Sequence, residues 1–409
     1  MKKVNYYWQK VKNIFHLINA FLANFWYGFP SRKIVVIGVT GTDGKTTTTE
    51  LIAHILRANK KRVSYISTVS AKIGKKEYDT GFHVTTPNPW LIQKLIKQAV
   101  DKKHQYFILE TTSHALDQNR VWGISYEIGV LTNVTSEHLD YHQSYEEYVK
   151  TKEKLLKMAK IGVLNVVDKS YPLLSQNSKF KSQNYNSKVK VIDDFSSLTS
   201  FNKYNYLAAY KVCKILGLEE DQIIKAMKVF RLPKGRLDIV YDKEFKIVID
   251  FAHTPNAFLQ LLPEVRKGYL KNEGRLIHVF GAAGLRDDKK RPVMGEIAGQ
   301  YDDLVILTEE DYRTEDFYKI CEQIEKGLIR QNLIKKSANL IGQNDKKVYT
   351  IFKNRQDAIS FAIKIAQKGD VVILTGKSHE KSLCRGKKEY SWDEYEAVKI
   401  GLKEKNKER

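Results

Sequence analysis

The sequence predicts an α/β protein of two domains, each built on a mainly parallel sheet. Three observations carry that prediction. Apolar runs of strand length alternate with segments of helical spacing along most of the 409 residues. The alternation pauses at Leu232-Pro-Lys-Gly235 and then restarts, which marks a hinge there. A glycine-rich loop joins the first strong strand to the first strong helix.

Residues 1–32 read as an amphipathic helix followed by a turn at Gly28-Phe-Pro30. Ile14, Leu17, Ile18, Phe21, Leu22 and Phe25 fall on one helical face. Packing of that face on the body is the expectation, with a membrane-surface helix as the alternative. Its aromatic content, with Phe15 and Trp26 added, also makes it a place for a protein partner. Met1-Lys-Lys before this stretch has the outline of a signal peptide. His16, Asn19 and Asn24 interrupt it, however, and no small-residue cleavage site follows. From 33 to 235 the clearest strands are 34–39, 106–109, 128–131 and 161–166. From 236 to 409 they are 245–250, 275–280, 303–308 and 370–375, each followed by a helix-like segment. The Lys-Glu-Lys-Asn-Lys-Glu-Arg tail is expected to fray.

A hydrophobic content of 42% suits globular domains with their own cores. The net charge of +22 is spread along the chain and suits anionic small substrates. No nucleic-acid-binding motif accompanies it, so no nucleic acid partner is expected. Cys213, Cys321 and Cys384 are widely separated, without metal-ligand spacing, and read as reduced thiols of a cytoplasmic protein. No apolar run is long enough for a transmembrane segment.

The loop is Thr40-Gly41-Thr42-Asp43-Gly44-Lys45-Thr46, with Thr47 opening a helix whose Leu51, Ile52, Ile55 and Leu56 share a face. Strand, glycine turn, Lys-Thr and helix together form a phosphate cradle. The glycines let backbone N–H groups approach phosphate oxygens, and the helix N-terminus adds positive partial charge. Lys45 can reach the β/γ-phosphates and the Thr46 hydroxyl can ligate Mg²⁺. The glycine spacing differs from the common form of this loop, but the flanking strand and helix favour a nucleoside triphosphate over a bare turn.

This variant loop resembles that of the Mur ligase family, where Asn usually occupies the Asp43 position. The resemblance continues in order through Thr85-Thr86-Pro87, Glu110-Thr-Thr-Ser-His-Ala115, Thr132-Asn133, His138-Leu-Asp-Tyr-His142 and Lys152. It resumes with Phe201-Asn-Lys-Tyr-Asn205, Gly235-Arg236, Asp250-Phe-Ala-His-Thr-Pro255, Arg286-Asp287 and Gly376-Lys-Ser-His-Glu380. The order is most similar to the branch that adds the third peptide residue to the peptidoglycan precursor. It implies a P-loop-type central ATPase domain over 33–235 and a C-terminal Rossmann-like α/β domain over 236–409, with 1–32 as linker helix. It also implies an additional uridine-binding domain in full-length members, which this chain is expected to lack.

The resemblance implies ATP-dependent activation of a carboxylate as an acyl phosphate, then attack by an amine. Lys45, Glu110, His138, Lys152 and Arg236 take the catalytic positions, and Thr46, Glu110, His138 and Lys152 those around Mg²⁺, with Lys152 carried as a carbamate. The alternative for Glu110 is a capping or surface acid, whereas Lys152 alone reads as a surface lysine. ATP is expected at Gly41, Thr42, Asp43, Gly44, Lys45, Thr46, Thr47, Asn133, Asn205, Arg236, Asp250 and His253. The acceptor, a UDP-linked muramoyl dipeptide, falls to Thr85, Thr86, Thr112, Gln118 and Arg120. The incoming amino acid falls to Arg286, Asp311, Arg313, Gly376 and Glu380. The family signature Asp-Asn-Pro-Arg reads Glu310-Asp-Tyr-Arg313 here. Arg313 offers a bidentate grip on a distal carboxylate and Asp311 an anion for an ammonium, a pair that suits meso-diaminopimelate over lysine. The alternatives are a folylpolyglutamate-type ligase with another substrate, or a nucleotide-binding subunit acting through a partner.

Overall fold

The computed structural model describes residues 2–78, 85–135, 139–142, 144–175, 181–185, 199–271 and 274–407. The chain divides into two compact units, Met1–Arg231 and Leu232–Arg409.

The first unit opens with helix α1 (Lys2–Trp26). Its sheet comprises β1 (Val35–Thr40), β2 (Val63–Ile66), β3 (Ala71–Ile73), β4 (Lys76–Tyr78), β5 (Tyr106–Glu110), β6 (Tyr126–Leu131), β7 (Ala159–Asn165) and β8 (Lys181–Tyr185). The spatial order is β4-β3-β2-β5-β1-β6-β7-β8. All pairings are parallel except β2–β3 and β3–β4. Strand β1 is central because Val36, Ile37 and Val39 are fully buried and feed both faces. Ile37 and Val39 pack with Leu51, Ile55 and Leu56 of the helix Lys45–Ala58, whereas Val36 packs with Phe107 and Leu109 on the other face. The chain leaves β1 for β2 on one side of the sheet and leaves the adjacent β6 for β7 on the other, so the loop after Thr40 lies at a topological switch point, where such sheets bind ligands.

The second unit holds β9 (Asp238–Asp242), β10 (Lys246–Asp250), β11 (Leu276–Phe280), β12 (Leu304–Leu307), β13 (Ile334–Lys335), β14 (Val348–Ile351) and β15 (Val371–Thr375). Their order is β13-β14-β12-β11-β15-β10-β9, with β9 the antiparallel edge. A hairpin, β16 (Ser382–Arg385) with β17 (Lys388–Ser391), follows. The eight sequence-predicted strands all form, with ends shifted by a residue or two. Thr40 extends β1 because its carbonyl accepts from Thr132 N at 3.0 Å.

Helix α1 departs from expectation. Its large apolar face does not pack on the body: Ile14, Ile18, Phe21, Leu22 and Phe25 are 46–68% exposed. The helix docks instead through Ala20, Ala23 and Asn24, all fully buried, against the helix Pro89–Asp101 and the turn after Asp117. Asn24 Nδ2 donates to Trp122 O at 2.8 Å, and Asn13 Nδ2 to Asp117 O at 3.0 Å. Small and amide side chains allow close approach and satisfy loop carbonyls, so these residues, and not the large apolar ones, dock the helix.

Candidate active site

In the first unit the phosphate loop is braced before any ligand arrives. Gly44 takes φ 78° as the residue preceding the helix Lys45–Ala58, a conformation that favours glycine. A Cβ there would lie 2.0 Å from Asn205 Oδ1, and one on Gly41 would lie 1.8 Å from Thr132 Oγ1. Asn133 grips Asp43 from both ends of its amide: Asp43 N donates to Oδ1 at 3.0 Å, and Nδ2 donates to Asp43 O at 3.1 Å. Thr42 Oγ1 accepts from Thr135 N at 3.0 Å. Lys45 Nζ donates to Gly41 O at 3.1 Å and Thr42 O at 2.7 Å, which holds its ammonium over the loop.

Glu110, at the end of β5 and 1% exposed, faces hydroxyls. Thr46 Oγ1 lies 3.0 Å from both carboxylate oxygens, Thr68 Oγ1 donates to Oε1 at 2.7 Å, and Thr68 N donates to Oε2 at 2.7 Å. Thr85 Oγ1 is 3.1 Å from Thr68 Oγ1. A buried carboxylate ringed by hydroxyl oxygens is a hard-oxygen donor set, which fits Mg²⁺ completed by phosphate oxygens and water. Beside it, Thr86 Oγ1 donates to Glu110 O at 3.0 Å and accepts from Thr112 N at 2.9 Å. Arg120 donates to Thr86 O, and burial lowers its pKa. Four of the five expected acceptor residues therefore share one hydrogen-bonded cluster. Gln118 sits apart, its N–H closing the short helix Ser113–Asp117 through His114 O at 2.8 Å.

Lys152, on the helix Tyr145–Met158, is 1% exposed rather than on the surface. Its Nζ donates to Gly41 O at 2.6 Å and lies 4.4 Å from the Tyr148 ring centroid. Both Lys45 and Lys152 thus address the same loop carbonyl. His138 lies outside the described residues. His142 is buried, 3.1 Å from Ser113 Oγ, with the Tyr141 ring edge-on at 4.7 Å and the tilted Tyr148 ring at 5.0 Å. Burial, then the charges of His114 and Lys152, push its pKa down to about 3.

In the second unit, Asp250 at the end of β10 accepts from Leu237 N and Ala252 N, each at 2.7 Å. This pins the turn that carries Arg236, whose guanidinium lies 4.8 Å from the Phe251 ring centroid. His253 Nδ1 is 2.8 Å from Phe251 O, and Lys290 Nζ donates to His253 O at 2.8 Å. Ser378 Oγ donates to Gly235 O at 2.8 Å, and a Cβ on Gly235 would collide with that hydroxyl. His379 lies 4.8 Å from Phe251, ring to ring, and burial, then Arg236, drives its pKa down to about 3.

The expected amino-acid residues meet on adjacent loops of this unit. Gly284 N donates to Asp311 O at 2.8 Å, and Arg313 Nη1 donates to Gly284 O at 2.8 Å, so the segment with Arg286 is tied to Asp311 and Arg313. Arg286 itself is exposed. The Asp311 carboxylate already has partners within the chain. It is 4% exposed, and its Oδ1 accepts from Lys377 Nζ at 2.9 Å and Cys384 N at 3.0 Å. Lys377, fully buried, also pairs with Glu380. Burial opposes its charge, but Glu380 and Asp311 outweigh that and hold its pKa above the usual lysine value. Glu310 is 8% exposed with its pKa raised by burial, and a Cβ on Gly376 would stand 3.0 Å from its carboxylate.

Sequence reasoning missed Thr68, Lys377, Glu309 and Arg385. Lys377 sits inside the quoted Gly376–Glu380 motif, where a cation three residues before an acid was a usable signal. Thr68 and the Arg385–Glu309 pair come from short strands and loops that carry no motif.

The model of the Mur ligase middle domain matches residues 39–194, and that of the Mur ligase glutamate ligase domain matches 235–378. The UDP-N-acetylmuramoyl-L-alanyl-D-glutamate--2,6-diaminopimelate ligase of Caldanaerobacter subterraneus is 36% identical, with 95% of this chain and 82% of that protein covered. The enzyme so named from Clostridium acetobutylicum, numbered 1, is 32% identical over 93% of this chain and 80% of its own. A solved structure of a ligase of that name aligns with TM-score 0.57 at 26% identity, over 91% of this chain and 79% of that one. Escherichia coli FolC in complex with ADP aligns with TM-score 0.70 at 16% identity, over 96% and 95%, a likeness of fold alone. The chain belongs to the Mur ligase family and is an ATP-dependent amide ligase.

Proposed function

We propose that this enzyme joins meso-diaminopimelate to a UDP-linked muramoyl dipeptide by way of an acyl phosphate, releasing ADP and phosphate. The observation that carries the reading is the phosphate loop with Lys45 aimed along it and the Thr46–Glu110 contact behind it. Charge neutralisation and positioning of a transferring phosphoryl group need this combination of cation, backbone N–H groups and metal-binding oxygens.

Thr46 and Glu110 hold Mg²⁺ in this reading, and the ion supplies charge stabilisation on the phosphate oxygens. Lys152 is carried as a carbamate, which keeps an N–H for Gly41 O while adding an anion beside the loop. Lys45 draws negative charge off the transferring phosphoryl group. Thr85, Thr86, Thr112 and Arg120 orient the acceptor carboxylate, and Gln118 contacts it from the neighbouring helix end. Asn133 and Asn205 keep the loop in its phosphate-accepting shape. Arg236, Asp250 and His253 belong to the nucleotide through the second unit.

For the amino acid, Arg286 and Arg313 receive its carboxylates. Lys377 fixes Asp311 and Glu380, and these two carboxylates meet the ammonium. The enzyme works in the cytoplasm, the compartment that supplies ATP. The test is phosphate release with UDP-muramoyl dipeptide and a panel of meso-diaminopimelate, lysine and glutamate. Release that requires ATP and acceptor and is fastest with meso-diaminopimelate is expected. Release with glutamate on another acceptor would favour the folylpolyglutamate-type alternative, and none with any pair would favour a nucleotide-binding subunit.

A further inference from the structure

We infer that α1 is a membrane-surface anchor whose outer face seats in an anionic lipid interface. Ile14, Ile18, Phe21 and Phe25 follow one another at spacings of four, three and four residues, and all are 48–68% exposed. Phe15, Leu22 and Trp26, at 65%, 46% and 74% exposed, widen the stripe. The apolar surface continues onto the body, where Trp122 lies 5.8 Å from Phe21, ring to ring, and is itself 38% exposed. The opposite side of the helix is taken by Ala20, Ala23 and Asn24, so the first unit has no means of covering this stripe by rotating the helix.

Charge decides the occupant. The segment Lys2–Trp26 contains Lys2, Lys3, Lys10 and Lys12 and no acidic residue. A second copy packed helix to helix would lack the opposite charges that normally flank such a seam, because the segment has no acid to offer its lysines. The stripe is also broader than the two-position seam of a coiled coil. A cationic helix with a wide face of Phe, Trp, Ile and Leu matches instead a surface that is anionic outside and apolar beneath. The helix does not cross the bilayer: no helix among the described residues is long and apolar enough. The net charge of +22 acts in the same direction by drawing the protein toward such a surface.

The experiment is vesicle co-sedimentation of the full chain, with phosphatidylglycerol–phosphatidylcholine vesicles against pure phosphatidylcholine vesicles, and light scattering of the protein alone. The unmodified chain should bind the anionic vesicles, lose them as salt is raised, and bind the neutral ones far less. Phe21→Glu with Phe25→Glu should reduce partitioning by about 10-fold or more, while ATP-dependent phosphate release without vesicles stays unchanged. Equal or absent binding to both vesicle types by the unmodified chain would overturn the inference, independently of any variant. So would a double variant that binds as before. A dimer in solution that the double variant breaks, with no vesicle binding, would assign the face to a second copy instead.

Discussion

The phosphate loop of the first unit and the Glu309–Arg313 region of the second are both crowded with charge, yet they handle it in opposite ways. Around the loop, Lys45 and Glu110 bond to backbone carbonyls, hydroxyls and an amide, with no opposite charge on either among the described residues. In the second unit the charges satisfy one another. Arg355 and Glu394, both fully buried, pair; Arg385 spans both oxygens of Glu309; Lys377 bridges Asp311 and Glu380; and Arg291 pairs with Glu315. Neutral bracing leaves charge for a ligand to neutralise, whereas mutual pairing spends the charge on holding loops in place. The first arrangement suits a site that meets phosphates and a metal. The second suits a frame that must present a few groups at fixed positions.

If that contrast is right, substitutions in the two regions should separate activity from stability. The largest effect is expected for Glu394→Ala, which strands Arg355 in the core and should cost about 3–5 kcal/mol of stability in the second unit. Denaturant unfolding measures this, and a loss below 1 kcal/mol would show that the pair is not a frame. Lys45→Ala should do the reverse: phosphate release falls about 10²–10³-fold, while the unfolding midpoint barely moves. A folded Lys45→Ala protein with full turnover would remove the loop from the chemistry. Next in size, Arg313→Ala should lower kcat/KM for meso-diaminopimelate by about 10- to 100-fold and narrow its margin over lysine. Unchanged discrimination would leave Arg313 as support for Gly284 and Asp311.

The smallest effect concerns pH. His142 and His379 are kept neutral when folded, with pKa values near 3, but take up protons near 6.5 when unfolded. The unfolded state therefore binds more protons between those values, so stability should fall as pH drops from 6.5 toward 3 and be flat with respect to these groups above 6.5. His142→Gln should flatten part of that slope. An unaltered acid profile would show that this histidine protonates in the folded protein.

The loop from Gly41 to Thr47 was legible because its chemistry is local: a strand end, two glycines and a Lys-Thr at a helix start need only consecutive residues. The parallel sheets were legible for a related reason, since strands buried on both faces are continuously apolar. Short strands such as β2, β3 and β4 were not, because three or four residues carry too little pattern. Asp311 illustrates a different limit. Its charge was visible in the sequence, but its pairing with Lys377, 66 residues on, was not.

The sequence by itself determined the two α/β units, the phosphate loop and the order of motifs that makes this chain a Mur ligase, because spacing along the chain fixes those. Only the tertiary structure decided that Lys152 is buried against Gly41 O, that Thr68 shares Glu110 with Thr46, and that α1 docks by its alanines and asparagines. The reason is physical. Periodicity shows that a helix has two faces, but which face turns inward depends on whether the surface it meets offers apolar side chains or unsatisfied carbonyls. Here the turn after Asp117 offers carbonyls, and the amides took them.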